Sequence, residues 1–356
     1  MKEGSGGFNI GFNLGQIATK EYFDYEVDDV KYPEGSVVAI FDMDTVVFPV
    51  VSVCDKTSVV VENSKGQTKE FKNRTKFKEW CKQKGKNFED YSIQDKVVPE
   101  PLSHCLNSIK VSTERLAKEV GATHCEYYLG GSGNFRMDLP LPVRYKGTRA
   151  SQRKPTHLKD AQNYVVNKLG AKKIKGIECD DFVSIRTIEV NKQKGVKGVL
   201  ITSDKDALQT FSSLAYVYRQ GVEYKLDNPL GKLWIQPNGD IKGTGLKFLL
   251  MQCLCTGDPT DGYIPTCFFN RKYGQKTYYK LVNDIDNVKE LLTVVITKWK
   301  GLVGDSVTYM TWDDELVTKS WLELAELYWS CAFMSTEKNH RTTFEDVLKY
   351  YGVSYK

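Results

Sequence analysis

Two short apolar runs that break off in aspartates constrain this chain more than anything else in it. Ser36-Val37-Val38-Ala39-Ile40-Phe41 stops at Asp42-Met43-Asp44, and Gly198-Val199-Leu200-Ile201-Thr202 stops at Asp204-Lys205-Asp206. Neither run alternates apolar with polar residues, so each must be covered on both faces, as strands inside a parallel sheet are. Parallel α/β sheets carry their sites at the carboxyl ends of the strands, so both runs are expected to present carboxylates there. A third acidic group, Glu178-Cys179-Asp180-Asp181, opens a predicted helix in which Cys179, Phe182, Ile185 and Ile188 return at helical spacing. A short strand is expected just before it, at residues 174–177. Carboxylates gathered in this way repel one another strongly unless cations lie between them. Hard divalent cations such as Mg²⁺ are held by oxygen ligands. Taken singly, each acidic group also has an ordinary explanation, because acids favour helix N-termini and aspartate is common in turns.

The distribution of charge adds to this. Net charge is only +5. Between residues 144 and 175, however, Arg144, Lys146, Arg149, Arg153, Lys154, Lys159, Lys168, Lys172, Lys173 and Lys175 face a single acid, Asp160. Residues 65–86 are also strongly basic, with Phe71, Phe77 and Trp80 interleaved. A charge run is most often a solvated helix face, but basic stretches with aromatics suit a phosphate backbone and stacked bases. Basic arms around an acidic centre are what a nuclease needs.

A chain of 356 residues with 41% hydrophobic residues can bury a sizeable core in two domains or one large one. No apolar run approaches a membrane span, and residues 1–15 lack the pattern of a signal peptide. The nine cysteines are irregularly spaced with no Cys-x-x-Cys pair, which predicts reduced thiols and a cytoplasmic setting. Cys253, Cys255 and Cys267 do not fit common zinc spacings and are expected to be core thiols. His104, His124, His157 and His340 form no constellation.

In chain order, residues 1–33 predict an arm or extension. A hairpin turning at Ser64-Lys65-Gly66 and a basic helix over 74–84 follow the first strand. A helix over 106–120 stops at Gly121, and a strand over 123–129 leads into Gly130-Gly131-Ser132-Gly133. That turn lacks the pattern of a nucleotide-binding loop. Thr156 is expected to cap a helix carrying Leu158, Ala161, Val165 and Leu169 that ends at Gly170. Strands are expected at 214–218 and 232–236. An apolar helix over 246–255 runs into Gly257-Asp258-Pro259-Thr260-Asp261-Gly262, a third acidic pair. Gly274-Gln275-Lys276-Thr277 opens another helix and offers backbone N–H groups to a phosphate. Residues 288–356 read as helical, with Trp321, Leu324 and Leu327 on an apolar face.

These motifs, in this order, resemble the structure-specific 5′ nuclease family, which includes phage 5′→3′ exonucleases, flap endonucleases and the 5′-nuclease domain of bacterial DNA polymerase I. The resemblance spans residues 37–281 and rests on Phe41-Asp42, Tyr145-Lys146-Gly147-Thr148-Arg149, Glu178-Cys179-Asp180-Asp181, Ser203-Asp204-Lys205-Asp206, Gly257-Asp258-Pro259-Thr260-Asp261-Gly262-Tyr263 and Gly274-Gln275-Lys276-Thr277. It implies an α/β fold with a mostly parallel central sheet flanked by helices. The nuclease core would occupy residues 1–245, with a basic gateway near 140–175. A helix–hairpin–helix element and a helical region would follow in 246–356.

The implied activity is Mg²⁺-dependent hydrolysis of phosphodiesters at 5′ ends of duplex, nicked or flapped DNA, or of an RNA–DNA hybrid. Mn²⁺ would substitute for Mg²⁺. The implied setting is phage DNA replication or primer removal in the host cytoplasm, by a monomer with no membrane attachment. Asp42, Glu178, Asp180 and Asp204 would serve one metal position, and Asp181, Asp206, Asp258 and Asp261 would hold further metal. Two Mg²⁺ ions about 4 Å apart would activate the attacking water and stabilise the leaving oxygen. Lys146 and Arg149 would offset charge on the phosphoryl oxygens. Tyr145, Arg153 and Lys154 would line the path of the nucleic acid. Gly274, Lys276 and Thr277 would grip duplex backbone beside a K⁺.

One departure is plain. The family places an aspartate in the turn after its second strand, where this chain has Gly130-Gly131-Ser132-Gly133, leaving Asp44 or Asp138 to substitute. Two other readings compete. Phe41-Asp42-Met43-Asp44-Thr45 comes close to the nucleophile motif of haloacid-dehalogenase-type phosphatases, with Asp42 as nucleophile, although Thr45 stands one place too early. The missing aspartate also suits a non-catalytic nucleic-acid binder on a nuclease scaffold.

Overall fold

The computed structural model describes residues 30–210, 212–338 and 341–355, so most of the expected N-terminal arm and His340 lie outside the described residues. The chain enters through β1 (Val37–Asp42) and α1 (Asp44–Cys54). An inserted unit follows, made of β2 (Asp55–Asn63), β3 (Thr68–Phe71), α2 (Arg74–Lys84) and β4 (Tyr91–Pro99). Next come α3 (Leu102–Glu119), β5 (His124–Gly130), α4 (Leu158–Leu169), β6 (Lys172–Ile174), α5 (Cys179–Asn191), β7 (Lys197–Ile201), β8 (Tyr216–Arg219) and β9 (Val222–Lys225). A short hairpin of β10 (Leu233–Ile235) and β11 (Ile241–Gly243) leads to α6 (Gly245–Met251), α7 (Gln275–Val282) and α8 (Val288–Val303). The described chain ends with β12 (Ser306–Met310), β13 (Leu316–Ser320), α9 (Trp321–Ala332) and α10 (Phe344–Tyr350).

Six strands form the central sheet in the order β6-β5-β1-β7-β8-β9. All neighbours are parallel except the β8–β9 edge. The two apolar runs pair directly: Phe41 of β1 lies in register with Ile201 of β7. Alternate residues of β1 enter opposite layers. Val38 and Ile40 pack with Phe182, Val183 and Ile185 of α5. Ala39 and Phe41 pack with Val47 and Val51 of α1, Ile109 of α3 and Val165 of α4. This two-sided cover is why the run shows no alternation. Val38, Ile40 and Phe41 are fully buried, each contributing about 1.5–3 kcal/mol relative to exposure. The parallel register brings the carboxyl ends of β1, β5 and β7 to one rim.

A third apolar cluster joins 135–145, α6 and the C-terminal helices. Among the described residues no helix is long and apolar enough to cross a membrane. Seven of the nine cysteines are buried and all are free, but Cys267, expected in the core, is exposed.

Several expectations give way to the structure. The strand before α5 stops at Ile174, because Gly176 takes a φ of +78° and donates its N–H to the Ser132 carbonyl at 3.1 Å. Thr156 does not cap α4: its N–H donates to Asp55 Oδ2 at 2.9 Å, and the helix follows His157 with no side-chain cap. Residues 288–356 are not only helical, since β12 and β13 form an antiparallel hairpin with Thr308 and Thr318 side by side, their hydroxyls 2.8 Å apart. The aromatics of the basic 65–86 stretch are not a stacking platform. Phe77 is fully buried, and Phe71, Trp80, Phe88 and Tyr91 pack around it as a small separate core.

Candidate functional site

The rim where β1 and β7 end opens into a cavity of about 790 Å³. It is lined by the acids Asp42, Asp44, Glu178, Asp180, Asp181, Asp204, Asp206 and Asp261 and by the bases Arg136, Lys146, Arg149, Arg153 and Lys154, with Tyr145 among them. Residues distant in sequence therefore meet at one place.

Asp42 ends β1 and is completely buried. Its Oδ1 accepts the Asp44 N–H at 3.2 Å and its Oδ2 the Thr202 hydroxyl at 3.2 Å. Burial, with the charges of Asp44 and Asp204 added, pushes its carboxyl up to about 7. Asp180, in the first turn of α5, is raised well above the ordinary range by burial and by Asp42, Asp204 and Glu178. Asp206 is raised by burial and by Asp204, whose Oδ1 also accepts the Asp206 N–H at 2.9 Å. These carboxylates cannot all ionise together at ordinary cost, because Coulomb repulsion grows where water is excluded.

Glu178 and Asp261 stand on the boundary with the basic side. Burial alone would push Glu178 up, but Arg136 and Lys146 outweigh it and hold the carboxyl below its usual value. Lys146 Nζ donates to Glu178 Oε1 at 2.6 Å and lies 4.0 Å from Asp261. Arg149 donates to Asp261 through a short hydrogen bond. Tyr145 Oη lies 3.3 Å from both Glu178 and Asp261. Lys146 is a non-glycine residue in the left-handed region, with φ +53°, and its N–H donates to the Asp261 carbonyl at 2.8 Å.

The acidic loop that supplies Asp258 and Asp261 has a local cause. Helix α6 runs into a π-helical turn, Gln252–Thr256, and Gly257 follows with φ +67°. A Cβ at Gly257 would lie 2.2 Å from the Tyr263 carbonyl oxygen, so only glycine fits. The Asp258 N–H donates to that carbonyl at 2.8 Å and closes the loop.

The expected metal-holding residues divide. Asp181 does not join the crowded pool: Arg136 donates to both its oxygens, at 2.5 and 3.2 Å, and Ser335 donates its N–H at 2.7 Å. Its carboxylate is committed to a buried arginine. Asp258 is not part of the cavity lining and accepts from Lys205 Nζ at 3.0 Å, while the same ammonium lies 3.2 Å from Asp206. Lys205 and Thr260 hold Asp258 below its usual value despite burial. Arg153 and Lys154 lie in the cavity wall, with Arg153 pairing to Asp55 at 2.9 Å. Gly274 and Thr277 line a separate cavity of about 650 Å³ with Arg271 and Lys272, and Lys276 is exposed beside it.

Two contributors escaped the sequence reading, and a third was named there only in part. Arg136 is buried and donates to the Ser330 and Phe333 carbonyls as well as to Asp181 and Glu178. Lys205 bridges two acidic segments. Asp44 was expected at the end of the first strand and as a substitute for the aspartate missing from the 130–133 turn, without a partner. The Gly130 N–H donates to Asp44 Oδ2 at 2.7 Å, and a Cβ on Gly130 would lie 2.6 Å from that oxygen. Asp138, the other substitute considered, is exposed and outside the cavity lining.

The donor set fits hard cations. Ligand atoms of Asp42, Asp44 and Cys179 lie within 4.8 Å of one another. Burial and the charges of Asp42, Asp180 and Asp44 push the Cys179 thiol well up, so it is neutral and the charged donors are oxygens.

No family model and no curated protein matches the chain. Solved structures show a loose likeness. The T5 D15 protein co-crystallised with metal ions is 16% identical, with 84% of this chain and 89% of that chain covered and a TM-score of 0.44. A T5 5′-exonuclease mutant is 14% identical, covering 85% and 88%, with a TM-score of 0.44. A bacteriophage T5 D15 flap endonuclease in a pseudo-enzyme-product complex with DNA and metal ions is 16% identical, covering 72% and 79%, with a TM-score of 0.40.

Proposed function

We propose that the chain is a metal-dependent nuclease that hydrolyses phosphodiesters at 5′ ends of DNA. The observation that carries this reading is the meeting, in one cavity, of eight carboxylates and five basic residues. A phosphodiester needs both. Cations must lie between it and the carboxylates, and fixed positive charge must take up its remaining oxygens.

Asp42, Asp44, Glu178, Asp180 and Asp204 would hold the cation next to the scissile phosphate, with Asp44 taking the place of the absent turn carboxylate. Asp206, with Asp258 and Asp261 at its flanks, would support a second. Bound there, Mg²⁺ or Mn²⁺ supplies an activated water and stabilisation of the leaving oxygen. Lys146 and Arg149 orient the phosphodiester and spread its developing charge. Tyr145, buried against Glu178 and Asp261, fixes the orientation of both acids. Arg153 and Lys154 hold the next phosphates along the wall. The loop at 271–277 offers backbone N–H groups and cations to duplex backbone farther off, the position the helix–hairpin–helix and K⁺ expectation concerns.

The phosphatase reading fits less well. A phosphatase acting through Asp42 as nucleophile leaves Glu178 and Asp180, which line the same cavity, without a role.

The test uses 5′-end-labelled duplex, nicked, flapped and RNA–DNA hybrid substrates with Mg²⁺, Mn²⁺ or EDTA. Nucleotides or short products should be released from 5′ ends only with divalent metal, and Asp204→Asn should abolish release while DNA binding persists. Binding without cleavage under every metal would leave the non-catalytic binder instead, and normal cleavage by Asp204→Asn would defeat the metal assignment.

A further inference from the structure

The inserted unit of β2, β3, β4 and α2 takes no part in the cavity, and nothing in the reaction requires it. It is a self-contained knob. Its sheet has the order β3-β2-β4, and α2 seals its own small core through Phe77 and Cys81. It is rooted beside the basic wall of the cavity. Asp55, the first residue of β2, is buried and accepts from Arg153 and from the Thr156 N–H, both at 2.9 Å. Glu100, just past β4, gives its carbonyl oxygen to His157 Nε2 at 2.7 Å. The strands run outward from this root: Asp55 pairs with Pro99 at the base and Asn63 with Tyr91 at the far end. Nine residues of strand reach roughly 30 Å.

The turn and helix of the unit are cationic, with Lys65 at the far end and Lys72 nearer the root, just past the Val59–Phe71 pair. Residues 65–86 hold nine lysines and arginines against two acids, Glu70 and Glu79. Lys65, Lys72, Lys82 and Lys84 are exposed, and no carboxylate among the described residues pairs with them. Lys69 and Lys86 lie over the Trp80 ring at 4.7 and 5.0 Å, and Lys78 over Phe88 at 4.9 Å. Every aromatic ring of the unit is thereby buried or partly covered, and none is exposed. Single strands are held by bases stacking on exposed rings, which this surface does not offer. It offers fixed positive charge without base contacts, the chemistry of duplex backbone binding.

We propose that this knob is a second nucleic-acid contact, binding the phosphate backbone of duplex DNA away from the cavity. The choice of partner rests on the nuclease reading. At a reach of roughly 30 Å and 3.4 Å per base pair, contact needs about nine base pairs beyond the root.

The test is binding without chemistry. Fluorescence anisotropy in EDTA, over a salt series, compares the full chain with a variant carrying Lys65→Gln, Lys82→Gln and Lys84→Gln. Two duplexes are used, of eight and of twenty-four base pairs. On the long duplex the variant should bind at least tenfold more weakly, with a slope of log K against log salt shallower by about 2–3. On the short duplex the two proteins should differ less than twofold, and thermal melting should confirm that both are folded. Equal affinity and slope on the long duplex would overturn the proposal and leave the nuclease reading intact. A loss of equal size on both duplexes would also overturn it. If the unaltered chain binds neither duplex, the nuclease reading itself fails.

Discussion

Asp180 and Asp181 are neighbours in the first turn of α5, yet replacing them with asparagine should have opposite effects on stability. Asp181 is buried and holds both oxygens against Arg136, which is itself buried. Breaking such a pair from one side costs about 3–5 kcal/mol, and Glu178 at 3.1 Å compensates Arg136 only in part. For a chain this long, each kcal/mol is worth roughly 2 °C in melting temperature, so Asp181→Asn should melt about 6–10 °C lower. Asp180 faces Asp42, Asp204 and Glu178, and its carboxyl is raised well above the ordinary range by burial and by those charges. A raised acid is one whose ionised form the fold resists, and each unit of elevation corresponds to about 1.4 kcal/mol. Asp180→Asn should therefore melt higher than the unaltered chain at pH 7 in EDTA, by at least about 2 °C. Added Mn²⁺ should raise the unaltered chain and Asp181→Asn by comparable amounts, and Asp180→Asn by much less, since ligand binding stabilises only the state that binds. Calorimetry of the three proteins with and without Mn²⁺ decides the matter. If both variants shift in the same direction in EDTA, the division of the acids into a crowded pool and a structural partner is wrong.

Further outcomes follow from the same geometry. Gly130→Ala puts a Cβ 2.6 Å from Asp44 Oδ2, so it should blunt the Mn²⁺-induced rise in melting temperature as Asp44→Asn does, whereas Asp138→Asn should leave it unchanged. In EDTA, stability should fall as pH rises from about 4 toward 7. Asp42 titrates near 7, and Asp44, Asp180 and Asp206 are also raised, so each loses stability as it ionises. Glu178, Glu126 and Asp258 are lowered and act in the opposite sense, losing stability as pH falls below their usual range. Melting curves across pH with and without Mg²⁺ should show the upper slope flatten when the cation is present. Lys146→Ala and Arg149→Ala should each slow cleavage by a factor on the order of 10²–10³ while preserving the Mn²⁺-induced rise, which single-turnover assays and melting curves would separate.

The parts of the fold that were legible in the sequence were so for two physical reasons. The strands β1 and β7 are buried on both faces, and that alone removes polar residues from the run. The helix stops at Gly121 and Gly170 were readable because a positive φ favours glycine, and both adopt one. The β12–β13 hairpin was missed although Val307, Thr308, Val317 and Thr318 are β-branched, because its turn at Asp313-Asp314 lacks a glycine and Asp314 itself takes φ +65°. In the site, residue types announced a carboxylate pool but not its membership. Asp180 and Asp181 look identical in sequence, and only the burial of Arg136 between α5 and α9 separates them. Lys205 was hidden in the same way. A lysine between two aspartates reads as a solvated charge, and its bridge from Asp206 to Asp258 depends on a loop fifty residues away.

Lys146 and Arg149 rest on Glu178 and Asp261, the same acids a cation would claim. On the proposed function, whatever neutralises those acids would release the two basic side chains for a phosphodiester, and a phosphodiester that draws them off would bare the acids in turn. Thermodynamic reciprocity then makes both affinities rise by a single factor. DNA should tighten cation uptake as much as cations tighten DNA, and either ligand titrated alone would under-read its strength in the ternary assembly.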